Sequence, residues 1–460
     1  MALPSRDDPV VRAGSEVLGG PAGRRVRASP PRILAVLLVL TAVTCALALL
    51  QKQACRADGW TDGRMYPELC YSDVALLYSA RGLADGIPVY DSSVDHEPLE
   101  YPVLTGAVMT ASAWVTARLN GAADPTDRGR TFFDVTVLVL TACALATTWL
   151  VARTAGRRPW DAALFALAPG LLLTAWINWD LLAVALAAGF LLAWSRRRPG
   201  VAGALLGLAV AAKFYPVVLL GPLFLLCLRA GRLADFLRAA GTAVAAFVAV
   251  NLPVYLAYPD GWARFYTFSE QRIAGFGSVW YALDREGVGM TGGLLNAVSG
   301  GAFLLACAGI AVLALAAPRR PRIGQLAFLV VAAFALTNKV YSPQYVLWMI
   351  ALFPLARPRW RDFLVWQAAE AVYFVAVWWH LEDLTSAVDI TVPEWTHTGA
   401  TLLRVLATVW VVGLVVRDAW YPEHDPVRAD GSDDPAGGVL DGAPDVVALG
   451  TSRPEPQHAR

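Results

Sequence analysis

Only three lysines, Lys52, Lys213 and Lys339, stand among 38 basic residues, and the other bases are arginine. Lys213 sits in Lys213-Phe214-Tyr215-Pro216 and Lys339 in Asn338-Lys339-Val340-Tyr341-Ser342-Pro343, each interrupting a long apolar run. Asp180 closes Trp176-Ile177-Asn178-Trp179-Asp180 between two more apolar stretches. An ionisable side chain at membrane depth is costly and tends to be kept for function. Taken singly, each has a plain alternative: interfacial snorkelling for a lysine and helix capping for Asp180. Taken together, they map to one face of the protein. Two cations and a carboxylate there suit a cavity that binds an anion such as a phosphate beside a group able to take a proton.

The same face carries an acid-rich segment, residues 52–101, with nine acids (Asp58, Asp62, Glu68, Asp73, Asp85, Asp91, Asp95, Glu97, Glu100) against Lys52, Arg56, Arg64 and Arg81. Residues 71–83 place apolar side chains at helical spacing, which predicts a short amphipathic helix with Asp73 at its start. A turn follows over Asp85-Gly86-Ile87-Pro88-Val89-Tyr90-Asp91, then Glu97-Pro98-Leu99-Glu100-Tyr101-Pro102 leads into another apolar stretch. Asp73 is either an ordinary helix-start residue or a functional carboxylate. Asp91, Asp95, His96, Glu97 and Glu100 are candidates for substrate binding or a second acid, although a lone loop histidine is more often simply exposed. Cys55 and Cys70 are the two cysteines of this segment; a disulfide closing it and two separate thiols both fit. Cys45, Cys143, Cys227 and Cys307 fall in apolar runs as small hydrophobes. No His or Cys pair has zinc-ligand spacing, so no metal is expected.

The elements that position these residues are membrane helices. The chain of 460 residues is 57% hydrophobic and 16% charged, where soluble domains run near 25% charged, and its mean hydropathy is +0.49. A water-soluble enzyme is excluded. A net charge of +1 leaves no basic face for nucleic acid. Spans are expected at 33–51, 131–152, 160–176, 179–195, 238–257, 293–316, 362–379 and 398–416, with 199–228 and 323–356 each reading as a hairpin of two short helices. Placing the arginine clusters around Arg24, Arg153, Arg196, Arg229, Arg319 and Arg357 in the cytoplasm gives about twelve spans in an all-α polytopic membrane protein, both termini inside. Residues 52–130 become a large first extracytoplasmic loop in which 102–119 lies in or re-enters the outer leaflet. Residues 32–420 form the transmembrane domain. The 33–51 run reads as a signal anchor, and 1–31 and 421–460 as disordered cytoplasmic tails.

Residues 258–292 combine Trp262, Arg264, Phe265, Tyr266, Arg272, Phe276, Trp280 and Tyr281, which serve either sugar stacking or an interfacial aromatic belt, the belt being favoured. Trp378-Trp379-His380-Leu381-Glu382-Asp383 is expected to begin the last outer loop.

In order, an acidic residue heading an amphipathic helix after the first span, Gly86-Ile87-Pro88-Val89-Tyr90, and Tyr101-Pro102 opening a further helix resemble the first outer loop of the GT-C fold. Within that fold the sequence is similar to glycosyltransferase family 87, the polyprenyl-phosphate-mannose-dependent α-mannosyltransferase-like group of actinobacterial membrane proteins. Asp73, Tyr78, Tyr90 and Tyr101-Pro102 match its first pattern, Asn178 to Leu181 its Asn-x-x-Asp element, and Lys213-Phe214-Tyr215-Pro216 its Lys-x-x-Pro. The resemblance runs over about 33–416. The family's Tyr-Pro-Pro is Tyr101-Pro102-Val103 here, and its Ser-Pro-x-x-Trp-x-His-His is Ser342-Pro343-Gln344-Tyr345-Val346-Leu347-Trp348, without the histidines.

This resemblance implies an inverting transferase on the outer face of the cell membrane. It would move a sugar, mannose by default, from a polyprenyl phosphate to a glycolipid or glycan acceptor. Asp73 would be the general base. Lys213 and Lys339 would face the donor phosphate, with Tyr341 or Gln344 replacing the missing histidines. Tyr78, Arg81, Tyr101, Asn178, Asp180 and Tyr215 would join the acids in substrate binding. No cofactor or metal is needed when a monophosphate leaves beside a lysine. The alternative is a secondary transporter or flippase of lipid-linked or small anionic substrates. That alternative calls for charges near mid-membrane with access from both sides, whereas here they gather at one face.

Overall fold

The computed structural model describes residues 8–14, 30–61, 63–93, 96–385, 393–431 and 433–449. Among them every regular element is helical, and no strand occurs. An apolar backbone that crosses a bilayer must pair its own N–H and C=O groups, and a helix does so locally. Five helices are long and apolar enough to cross unaided: Arg32–Gln51, Pro125–Thr154, Leu233–Ala257, Gly292–Ala316 and Trp395–Trp420. Five shorter apolar helices accompany them, Asp180–Ser195, Pro199–Ala212, Tyr215–Arg229, Ile323–Thr337 and Pro343–Ala356.

The two interrupted runs break where expected. The Pro199–Ala212 helix ends as Lys213 turns extended (φ −152°, ψ 139°), and Tyr215–Leu219 restarts as a tight turn with Pro216 in its first positions. Proline lacks the N–H that would continue the helix and disfavours α geometry before it. Asn338 and Pro343 do the same for the second run. The run at 160–176 differs from expectation: it is three short pieces, Pro159–Ala162, Ala163–Ala166 and Pro169–Thr174. Pro169 is again the reason, taking the first helical position after a break. Residues 378–383 likewise do not open a loop, because they continue the helix Trp360–Thr385.

Close packing holds the pieces together. Gly203 and Gly207, four residues apart, let Pro199–Ala212 lie directly on Leu233–Ala257; a Cβ at either position would come within 1.9 Å of the Ala239 carbonyl oxygen or 2.1 Å of that of Ala243. Small residues at this spacing let membrane helices approach backbone to backbone. Leu304 and Leu305 of Gly292–Ala316 are 70% and 75% exposed, as an apolar face turned to lipid would be. In the acid-rich segment 52–101, Cys55 and Cys70 are joined by a disulfide with Cα atoms 5.8 Å apart. Trp60 packs beside it on Phe133 at 4.7 Å.

The chain beyond Tyr421, expected as a disordered tail, instead forms a strap over the ends of the helices. Asp425 pairs with buried Arg322 at 2.7 Å, Asp433 with Arg319 at 2.9 Å, and Asp445 with both Arg229 and Arg320 at 2.7 Å. The composition misled because the aspartates that suggest disorder are matched one by one to arginines far away in sequence. At the other terminus, Asp8 accepts the backbone N–H of Trp360 at 3.0 Å. Residues 1–7, 15–29 and 450–460 lie outside the described residues.

Candidate active site

Asp73 is the first residue of the helix Asp73–Ala80, but not its cap. Ser72 takes that role, its hydroxyl oxygen accepting from the Val74 N–H and its O–H donating to the Trp176 carbonyl at 2.6 Å. With the cap supplied, the Asp73 carboxylate is free to face a cavity. The Tyr71 hydroxyl donates to it at 2.6 Å, Tyr101 at 3.3 Å and the Asn178 amide at 3.4 Å. The Asp73 N–H donates to the Ile177 carbonyl at 2.8 Å. Burial raises the Asp73 pKa above the ordinary carboxylate value, while the Tyr71 donor, the Lys213 charge and the Asn178 and Tyr101 donors pull it part of the way back.

The cavity measures about 480 Å³. Asp73, Glu100, Tyr101, Asn178, Lys213, Tyr341 and Gln344 all line it. Asp180 is fully buried behind it, accepting the Lys213 ammonium at 3.2 Å and the Trp348 indole N–H at 2.6 Å. Lys213 also lies 5.2 Å from the Tyr101 ring centre and 5.9 Å from that of Tyr345. Contact with aromatic faces and one carboxylate fixes the position of this cation at the cavity surface.

Several expected site residues are elsewhere. Lys339 does not line the cavity; its ammonium donates to the Glu270 carbonyl at 2.7 Å and to Asn296, tying down the 270–275 segment. Tyr215 is stacked on Trp348 at 4.1 Å, and Tyr78 on Phe132 at 4.5 Å. Arg81 pairs with Glu100 at 2.8 Å and Glu97 at 3.2 Å, so only Glu100 of that trio reaches the cavity. Asp91 caps its own turn through Ser93, which lowers its pKa. His96 lies beside Gly82, outside the cavity. Tyr341 lines the wall with its ring but donates its hydroxyl to Glu370 at 3.2 Å.

The structure adds residues not singled out as site residues. Arg272 lines the cavity together with Phe265, Phe268, Phe276 and Tyr281, so the aromatic and basic 258–292 segment belongs to the site. Among the described residues Arg272 has no carboxylate partner; it lies 5.4 Å from the Phe268 ring centre. Tyr66, Tyr71 and Trp378 form a stacked aromatic wall with ring centres 4.7 to 6.0 Å apart. Lys52, fully buried, donates to the Tyr71 carbonyl at 2.9 Å and so sets the residue that holds Asp73. Behind Tyr341, Arg404 pairs with Glu370 at 2.8 Å and donates to the Tyr341 and Ser342 carbonyls. Glu370 and Arg404 were findable: both are ionisable residues inside apolar runs, the signal that drew attention to Asp180. Gly277 makes this wall possible, since a Cβ there would meet the Tyr341 carbonyl oxygen at 2.1 Å.

An all-helical membrane protein with a polarised carboxylate, cations and stacked aromatics around one cavity has the make-up of a membrane glycosyltransferase. The sequence profile of glycosyltransferase family 87 matches residues 101–343, and the chain belongs to that family. It is therefore a glycosyltransferase, and the transporter or flippase reading is set aside. Among solved structures, ArnT from Cupriavidus metallidurans bound to undecaprenyl phosphate is similar at 13% identity and a TM-score of 0.42, covering 84% of this chain and 77% of that one. No curated protein matches.

Proposed function

We propose that this glycosyltransferase transfers a sugar, most simply mannose, from a polyprenyl-phosphate donor to a hydroxyl of a glycolipid or glycan at the outer face of the membrane, with inversion. The observation that carries the reading is that Asp73 shares one cavity with Lys213 and Arg272. Asp73 takes the proton of the acceptor hydroxyl as its oxygen bonds to the anomeric carbon. The bond from that carbon to the phosphate oxygen breaks, and its electron pair leaves on the phosphate. Lys213 and Arg272 face the charge that develops there, a form of stabilisation strongest in a site already organised for it. Tyr66, Tyr71 and Trp378 offer ring faces to the sugar.

The test is transfer of radiolabelled mannose from polyprenyl-phosphate-mannose in membranes carrying the wild type or Asp73→Asn, with endogenous acceptors. Product from the wild type alone supports both the reaction and the base. Equal product from both removes Asp73 as base. No product with mannose but product with an arabinose donor replaces the sugar, and no product with either overturns the polyprenyl-phosphate reading.

A further inference from the structure

A second space of about 720 Å³, sharing no lining residue with the cavity, runs between Pro125–Thr154, Asp180–Ser195 and Pro199–Ala212. Its walls are apolar, with Cys143, Leu150, Leu186, Gly189 and Leu205 along its length, and its two charged lining residues are Arg196 and Arg198. From Leu182 to Arg196 the groove follows the helix for about 21 Å at 1.5 Å per residue. Val201, one of its lining residues, is 51% exposed, so it opens where lipid would lie.

The charge at its mouth is left unmatched while charges nearby are not. The C-terminal strap neutralises Arg229, Arg319, Arg320 and Arg322 with Asp445, Asp433 and Asp425. It passes beside the groove as well: Gly438 lies so close to the Trp194 carbonyl that a Cβ would sit 1.9 Å from it. Yet Arg196 and Arg198 are exposed and have no ion pair or side-chain hydrogen bond among the described residues. Their backbone needs are met locally, with the Arg196 N–H donating to the Leu192 carbonyl at 3.1 Å and the Arg198 N–H to that of Ala193 at 3.1 Å. Two free guanidiniums at the head of an apolar channel match a lipid that carries a phosphate charge above an acyl chain.

We propose that this groove binds one anionic phospholipid, its acyl chain laid along Gly189 and its headgroup phosphate between Arg196 and Arg198. Full-length protein, delipidated in a non-ionic detergent, is offered equimolar phosphatidylglycerol and phosphatidylcholine of identical chains and read by native mass spectrometry. The wild type is expected to retain one phosphatidylglycerol in roughly ten-fold preference, given two arginines at the phosphate. Arg196→Gln with Arg198→Gln brings the two lipids to near parity. Arg232→Gln with Arg238→Gln, which alters exposed arginines outside the groove, leaves the preference intact. Ala185→Phe, filling the channel, removes the adduct for both lipids; transferase activity of every variant reports that it is folded. Equal retention by the wild type, a preference that survives Arg196→Gln with Arg198→Gln, or displacement of phosphatidylglycerol by an equal amount of polyprenyl phosphate would overturn the assignment.

Discussion

The Lys213 ammonium stands 3.2 Å from the Asp180 carboxylate, with Asp180 fully buried and Lys213 open to the cavity. The pair joins the start of one apolar helix, Asp180–Ser195, to the end of the next, Pro199–Ala212. Asp180 thus holds Lys213 in place and does not itself line the cavity.

Lys213→Ala should lower kcat/KM for the donor by roughly 100-fold or more, as expected when a preorganised charge is removed. It should also destabilise the protein by about 3–5 kcal/mol, because Asp180 is left buried with one partner fewer. Asp180→Asn should keep the Trp348 contact and weaken turnover less than Lys213→Ala. Thermal unfolding in detergent alongside the transfer assay separates the two effects; a Lys213→Ala protein with wild-type donor kinetics would contradict the assignment.

Asp73 must be deprotonated to act as a base, so turnover is lost as pH falls through its pKa. Burial holds that pKa above the ordinary value, and the acid limb of the rate profile should lie correspondingly higher than for an exposed carboxylate. The Tyr71 hydroxyl stabilises the charged form. Tyr71→Phe should thus move the acid limb to higher pH, with Asp73→Asn lowering the rate by about 10²–10⁴-fold at all pH values.

Arg272 and Lys339 should respond differently. Arg272→Gln removes a cation that lines the cavity and should cost roughly 100-fold in kcat/KM for the donor. Lys339 anchors the Glu270 carbonyl from outside the cavity, so Lys339→Gln should lower thermal stability more than it changes donor kinetics. Steady-state kinetics of the two variants at several donor concentrations checks the contrast.

The Cys55–Cys70 bridge closes a loop with a sequence separation of 15. Loop-closure entropy for that size corresponds to about 3 kcal/mol. Cys55→Ser should lower the unfolding free energy in detergent by about that amount, and a reducing agent should do the same to the wild type while leaving the variant unchanged.

The strap carries its own expectation. Asp425→Asn removes the partner of Arg322, which is 2% exposed, and an unpaired buried charge costs about 3–5 kcal/mol. Truncation after Tyr421 should therefore reduce the yield of folded protein, measured by size-exclusion chromatography in detergent, more than removal of residues 450–460 does.

What the sequence by itself determined is local. Apolar run length, the prolines at 216 and 343, and helical spacing after Ser72 depend on neighbours in the chain, and they placed the helices, their breaks and the Asp73–Ala80 helix. The rarity of an ionisable residue in an apolar run likewise marked Asp180 and Lys213. What only the tertiary structure decided is partnership. Lys213 and Lys339 look alike in sequence, each at the break of an apolar run, yet one meets a buried carboxylate at the cavity and the other a carbonyl and an amide outside it. Arg272, indistinguishable in sequence from a belt arginine, reaches the cavity because Lys339 and Gly277 fold its segment inward. The Asp-rich terminus reads as disordered by composition alone, because composition counts charges without their distant partners. Pairing across hundreds of residues leaves no periodic signal, and it is pairing that turns these charges into a site.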